Sequence, residues 1–447
     1  MLEKDSNDVS QKELSRRQFL LGSATSLAYL AGLEHAIAGQ FNDKPVNIVI
    51  AGSGSAGISI ANRLSVALPN AKISIIDKNE IHTYWPGLTL VATGLWKKPR
   101  SIAGATSSLL PSGKNINHIK QMVSSFDPDN KQVITEDGSS VNYDFLVVSM
   151  GIEYNYDAID GMDINRIGEK GLTTVYHSPD KAEATWKAVE KYTKEGGKGI
   201  FTMPNTAIRC AGAPLKMTFL TLDQLKRNGG FDKADMNFYS ASGGVFSLPW
   251  FNDFVINRFT ENHMDVKLHT PLKAVDIDKQ IATFTGKNGD FTTEYDLLHV
   301  VPPMRAPKVV RESEISWKNG AFANGGWLAV DKETLQHVKY PEIFGCGDVN
   351  GTPLGKTAAT VKLSVPIVVN NLLSVINQKE PTAKFNGYTS CPLITKIGSA
   401  MLVEFDYDKK LVPTFPFIDP KKESYFSWYM KEQLLKPTYL KMLEGKV

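Results

Sequence analysis

Cysteine is scarce in this chain: three residues in 447, too few to staple a protein of this size. A disulfide framework is thereby excluded, and the thiols are free, one pair plus one, or working groups. Charge of one sign is lacking too. Fifty Lys and Arg against 47 Asp and Glu leave +3, with no basic stripe, which argues against a nucleic-acid partner. Beyond the first forty residues no run of about 18 apolar residues occurs, so no spanning helix is expected. There is no repeat at solenoid or propeller periods, no low-complexity tract and no metal-ligand spacing, and the eight histidines are scattered. No metal site is expected. The length suffices for two or three domains with real cores.

Residues 15–38, SRRQFLLGSATSLAYLAGLEHAIA, join Arg16 and Arg17 to a moderately apolar run. They end in Ala36-Ile37-Ala38, the small-x-small pattern that a signal peptidase accepts. The run is too short, and too interrupted by Gly and Ser, to cross a bilayer. Residues 1–39 resemble a twin-arginine export signal, although Leu21 stands where a Lys is common. That route carries folded, cofactor-loaded proteins and implies the periplasmic face of a bacterial inner membrane.

Residues 45–80 read as an apolar strand, a glycine turn, an amphipathic helix and a second strand. Gly52, Gly54 and Gly57 form G-x-G-x-x-G between strand and helix, and Asp77 follows Gly57 by 20 residues. Gly52 suits the tight turn, Gly54 the approach of a pyrophosphate and Gly57 the helix–strand packing, while Asp77 would take ribose hydroxyls. The turn residues Ser53, Ser55 and Ala56, with Lys78 beside the acid, belong to the same expected cofactor set, as does Val123. The motif alone does not separate FAD from NAD. YDFLVVSMG, ending at Gly151, and YPEIFGCGDV, containing Asp348, resemble the later FAD segments of two-dinucleotide flavoproteins. A helix following Lys356 would aim its N-terminus at the flavin ring.

Between these segments lies a further α/β unit whose first strand, GIFTM, leads into PNTAIRCAGAP (residues 204–214). A phosphate loop would stand here in an NAD(P)H-binding unit, yet no G-x-G-x-x-G is present, and Cys210 takes its place. A pyridine nucleotide is therefore not expected. Cys210 precedes Pro214, a favoured first helical position, so a helix dipole lies near it and would favour the thiolate. A buried structural cysteine is the competing reading of the residue type.

PNTAIRCAGAPLK, IHTYWPGLTLVATG, KTAAT, FNGYTSCPLIT, LVEFDY and TFPF together resemble the sulfide:quinone oxidoreductases, and the branch that includes the mitochondrial enzyme in particular. The resemblance spans nearly all of the chain after residue 40. It implies an α/β fold of two Rossmann-like domains, the FAD domain split in sequence, with a C-terminal region at the membrane interface. On that basis residues 40–160 and 300–380 form the FAD domain, 161–299 the second domain, and 381–447 the quinone region. It also implies sulfide oxidation at Cys210 and a second redox thiol, with electrons passed through FAD to quinone.

Relatives of this branch carry a cysteine immediately after the FAD-binding Asp, whereas Val349 stands here. Cys346, three residues earlier, is therefore expected as the second catalytic thiol, and Cys391 as structural. His82, Tyr84 and Trp85 are candidates to line the flavin or quinone pocket. Residues 421–443, KKESYFSWYMKEQLLKPTYLKML, mix aromatics with lysine and suit a helix lying on a bilayer, its lysines outward. A homo-oligomer is left open. Rival readings are the flavoprotein subunit of a flavocytochrome c sulfide dehydrogenase, an NADH:quinone dehydrogenase, and a flavin-binding sulfide sensor without turnover.

Overall fold

The computed structural model describes residues 45–113 and 115–447. The expected export signal lies outside the described residues. Strand β1 (Asn47–Ala51), helix α1 (Ser55–Ala67) and strand β2 (Lys72–Ile76) follow the glycine-turn reading. The β-branched run NIVIA is fully buried after its first residue, as a strand covered on both faces should be. With β3 (Ile116–Ile119), β4 (Phe145–Val148) and β9 (Ile343–Gly345) they form a parallel sheet in the order β9-β4-β1-β2-β3. The fifth strand returns from a point nearly 200 residues further on, so this sheet is split in sequence.

Between them a second parallel sheet is built from β5 (Gly197–Met203), β6 (Ala234–Ser240), β7 (Asp265–Lys267) and β8 (Leu297–His299). Its order is Leu172–Thr173, then β8-β5-β6-β7. Helix α2 (Pro179–Glu195) precedes β5, and helix α3 (Ala213–Asn228) follows it after the cysteine turn. Two parallel sheets with helices between their strands are the α/β architecture of paired dinucleotide-binding folds.

Helix α4 (Ala358–Ile376) is apolar and long enough to cross a membrane, but it is a core helix. Val361, Val365, Val368 and Leu372 are buried, and α4 packs along α1. A hairpin of β10 (Thr389–Lys396) and β11 (Ser399–Phe405) then lays itself over α3. The C-terminal segment is a broken helix: α5 (Tyr425–Tyr429), a π-turn over Met430–Leu434, and α6 (Leu435–Leu443). Its lysines are not all outward, contrary to expectation. Lys431 is 2 % exposed and donates to the Pro86 carbonyl at 2.6 Å, while Lys436 donates to Arg100 and Ile102 carbonyls. The segment turns an inner face to the protein, where Trp428, Tyr439, Met442 and Leu443 are buried.

Candidate active site

The glycine turn between β1 and α1 has the geometry its motif requires. Gly52 adopts φ +102°, and a Cβ there would meet the Ser149 carbonyl at 2.7 Å. A Cβ on Gly57 would lie 1.9 Å from the Gly52 carbonyl oxygen, so helix and turn meet only because it is missing. Gly54 is different: a Cβ there would find nothing closer than 3.8 Å, which leaves open space in front of the helix. Gly54 also caps α1 without a side-chain partner, so the first amides of α1 are free to meet an anion. Asp77 Oδ2 accepts from the Ser53 amide at 2.7 Å, and its other oxygen accepts from Asn79. Ser55 and Ala56 open α1 within the same turn.

Other members of the expected set stand further out. Lys78 is exposed and sits 3.6 Å from Glu136. Val123 is a buried apolar residue at a strand start, packed with Val133 and Tyr143. Gly151 has φ +74°, and a Cβ there would lie 3.3 Å from Arg209 Nη2. Asp348 Oδ2 pairs with Arg209 Nε at 2.6 Å, and Arg209 also lies over Trp85 and donates to Tyr154 Oη at 2.8 Å. Lys356 Nζ donates to the carbonyls of Asp348 and Asn350 and lies 3.5 Å from the Trp327 ring centre. Burial lowers the Lys356 ammonium to about 7. His82 is buried beside Tyr439, Nε2 to Oη 2.5 Å, and burial lowers its imidazole to about 4. Tyr84 meets the same tyrosine edge-on.

At the end of β5 the chain makes a turn in which Cys210 has φ +50°, uncommon for a residue with a side chain. The turn is tied down at both ends. The Cys210 amide donates to the Lys356 carbonyl at 2.8 Å, and its own carbonyl accepts from Ala213 at 2.7 Å. Lys216, one turn into α3 and 3 % exposed, donates to Cys210 Sγ at 3.1 Å. Strand β10 then brings Cys391 over the same turn. Its Sγ occupies the space where a Gly212 side chain would be, 2.0 Å from an ideal Cβ. The hydrogen bond from the Cys391 thiol, with the Lys216 ammonium, holds Cys210 well below its usual value despite burial. Cys391, giving that hydrogen bond while buried, is pushed well above. With Cys210 biased toward the thiolate and Cys391 toward the thiol, both at the Gly212 turn beside the Lys216 ammonium, the pair has the chemistry for sulfur exchange.

Cys346 is not part of it. It is fully buried at the end of β9, its Sγ 3.4 Å from Ser364 Oγ on α4, and burial pushes its thiol up to about 12. The placement corrects the expectation of Cys346 as the partner thiol and of Cys391 as merely structural. Val349 explains itself in the same way. It is buried in a core cluster with Val49, Leu146 and Leu328, so the position after Asp348 does not look toward the sulfur pair. Sequence reasoning also missed Lys216, Arg209, Gly212 and Lys431. FNGYTSCPLIT contained the signal for Cys391, but only the hairpin's fold over α3 shows where that thiol goes.

Two parallel sheets, a dinucleotide cradle and a dithiol define the class: residues 46–191 match the family model for pyridine nucleotide-disulphide oxidoreductase. Relatives narrow it. The chain is 35 % identical over 401 residues to a mitochondrial sulfide:quinone oxidoreductase of Dictyostelium discoideum, covering 89 % of this chain and 86 % of that one. The mouse protein of the same name is 34 % identical, with 89 % and 86 % covered. The crystal structure of the sulfide:quinone oxidoreductase from Aquifex aeolicus has the same fold, with TM-score 0.74 at 21 % identity, over 90 % of this chain and 92 % of that one. The chain belongs to the sulfide:quinone oxidoreductase family. Its cofactor is FAD, and the uncapped α1 terminus, the open space at Gly54 and the acid at Asp77 fit that group.

Proposed function

We propose that this protein oxidises sulfide at the Cys210–Cys391 pair and delivers the electrons, through FAD, to a quinone. The observation that carries the reading is the Cys391 sulfur seated over Gly212, beside Cys210 and Lys216. In the oxidised pair, hydrosulfide attacks Cys391 Sγ. The Cys391–Cys210 bond breaks, Cys391 becomes the persulfide, and Cys210 leaves as the thiolate that Lys216 stabilises. Transfer of the outer sulfur to a nucleophile, such as a second hydrosulfide or a thiol, frees Cys391. Loss of two electrons re-forms the bond. When bound, FAD would supply the two-electron acceptor. For the cradle we assign Gly52, Ser53, Gly54, Ser55, Ala56 and Gly57 to the pyrophosphate, Asp77 to the ribose, and Asp348 with Lys356 to the ribityl and ring end. Anaerobic titration of the yellow protein tests the whole reading. Sulfide should bleach the flavin band and a short-chain quinone restore it, while NADH leaves it unchanged, because the cysteine turn stands where a phosphate loop would be.

We further propose that the chain is exported by the twin-arginine route and sits on the periplasmic face of the membrane. Phe417, Tyr425, Tyr429 and Leu434 are exposed along the C-terminal segment, and Trp250, 5.5 Å from Lys421 Nζ, lies near the segment's start. Aromatics flanked by lysines suit the headgroup layer. Export should stop when Arg16 and Arg17 are both replaced by Lys, and the protein should float with anionic vesicles. Retention at the bottom of the gradient would refute the membrane seat. Sedimentation of the same preparation decides whether the chain is a homo-oligomer.

A further inference from the structure

The last helix of the chain reaches its first glycine turn. Helix α6 packs along α1, and Arg63 of α1 donates to the Val447 carbonyl at 2.8 Å. The end of the chain therefore lies along the helix that opens at the cofactor cradle. The link to the cradle itself is Tyr439, 7 % exposed. Its hydroxyl meets His82 Nε2 at 2.5 Å, and the two rings stack with centres 5.8 Å apart. Tyr84 stands edge-on to it at 4.9 Å. The Ser55 side chain is a hydrogen-bond partner of the same phenol, and the charges of Arg209 and Asp348 both reach it. The His82 imidazole is bonded in turn to the Ser53 backbone. Tyr439 and His82 thus bridge the glycine turn from Ser53 to Ser55, within reach of Asp348.

Fastening α6 to the domain does not call for this bridge. Glu432 accepts from Trp96 Nε1 at 2.9 Å and from Arg100 Nη1 at 2.8 Å, and Lys436 donates to the Arg100 and Ile102 carbonyls. Burial keeps the imidazole neutral and the phenol protonated, so the two share a neutral hydrogen bond. An apolar pair of the same shape would hold helix against turn about as well. What the hydroxyl adds is direction, because it fixes where the Ser55 side chain points. Ser55 is the first residue of α1, at the uncapped end whose amides are free for an anion.

We propose that Tyr439, seated by His82, positions the glycine turn for the FAD pyrophosphate, which makes the C-terminal segment part of the cofactor cradle. The inference rests on the assignment of that turn to the pyrophosphate, and it extends the cradle to a residue from the opposite end of the chain. It asks nothing of the sulfur chemistry. Tyr439 acts through Ser55, and His82 acts through Tyr439; both are positioning residues.

Flavin release from the holoenzyme tests it. On dilution, the rise of free-flavin fluorescence gives the dissociation rate, and hydrogen exchange of the loaded protein reports which amides loosen. Tyr439→Phe keeps the ring and loses the hydroxyl. Its flavin should leave about tenfold faster, the weight of one hydrogen bond at a charged ligand. Exchange should quicken over residues 53–58 as well as over 435–443. His82→Leu should act in the same way, and His82→Gln, which can still bond the phenol, should restore slow release. A tyrosine that only packs α6 would quicken exchange over 435–443 alone and leave release unchanged, and that result would overturn the proposal. Faster release with exchange at the glycine turn unmoved would overturn it too. Wild-type protein that holds no flavin would instead sink the cradle assignment, and this proposal with it.

Discussion

The Cys391 sulfur fills the position of a side chain that Gly212 does not have: an ideal Cβ on Gly212 would lie 2.0 Å from Cys391 Sγ. No real Cβ tolerates that approach, so Gly212→Ala must move either the hairpin or the turn. The sulfur pair should open by the order of an ångström, and a misplacement of that size costs on the order of 10²-fold in rate. We expect sulfide-dependent flavin reduction to fall by that factor, with FAD content unchanged by absorbance ratio. A wild-type rate in stopped flow would show that the contact is not needed.

Lys216 acts with Cys391 on the ionisation of Cys210. The Cys391 hydrogen bond, and then the Lys216 charge, hold that thiol well below its ordinary value of 9.0. In the reduced protein, alkylation of Cys210 should therefore stay fast at neutral pH and fall only as pH drops through the lowered value. Lys216→Met removes the charge but leaves the Cys391 hydrogen bond, so the fall should move to higher pH. The linked stability has a definite sign. A depressed acid contributes stability that is fully present above 9.0 and is lost as pH falls through the folded value. The variant should lose less Tm on acidification than the wild type. Identical alkylation profiles would refute the assignment.

Asp348 and Arg209 form an ion pair with side chains only 10 % and 20 % exposed. Asp348→Ala removes the carboxylate expected to hold the ribityl end of FAD and leaves Arg209 short of its anion. The purified protein should be largely colourless. Its stability should drop by up to about 3 kcal/mol, the lower range for breaking a buried pair, since water reaches part of it. Asp348→Asn should keep the shape and still lose most of the flavin. Full FAD occupancy in both variants would show that the cradle is held by backbone alone.

Local chemistry made the cradle legible in the sequence. The G-x-G-x-x-G turn, Asp77 and the strand runs are short-range patterns with one physical solution, and the structure holds them as expected. The thiol pairing was not legible, because it depends on a hairpin 180 residues beyond Cys210 folding back over α3. Counting along the chain favoured Cys346, next to Asp348, but strand alternation and the Gly347 turn, at φ +88°, direct its sulfur into α4. Lys431 was misread for a related reason. A lysine among aromatics suggests a solvated face, yet the π-turn at Met430–Leu434 rotates it inward toward Pro86.

The three cysteines give the sharpest separation. Cys210→Ser and Cys391→Ser should each abolish sulfide-dependent flavin reduction while FAD remains bound, since each removes half of the pair seated at Gly212. Cys346→Ser should behave differently. Its sulfur is a small buried group with Ser364 as partner, and a thiol pushed up to about 12 supplies no nucleophile near neutrality. A serine hydroxyl there can still bond Ser364, so the cost should be about 1 kcal/mol of stability. Sulfide turnover should stay within about threefold of wild type, because activity differences below that size lie under 1 kcal/mol of barrier. Sulfide-dependent steady-state rates with all three variants, each checked for FAD content, decide the matter. If Cys346→Ser is inactive and Cys391→Ser is not, the dithiol has been placed on the wrong side of α4.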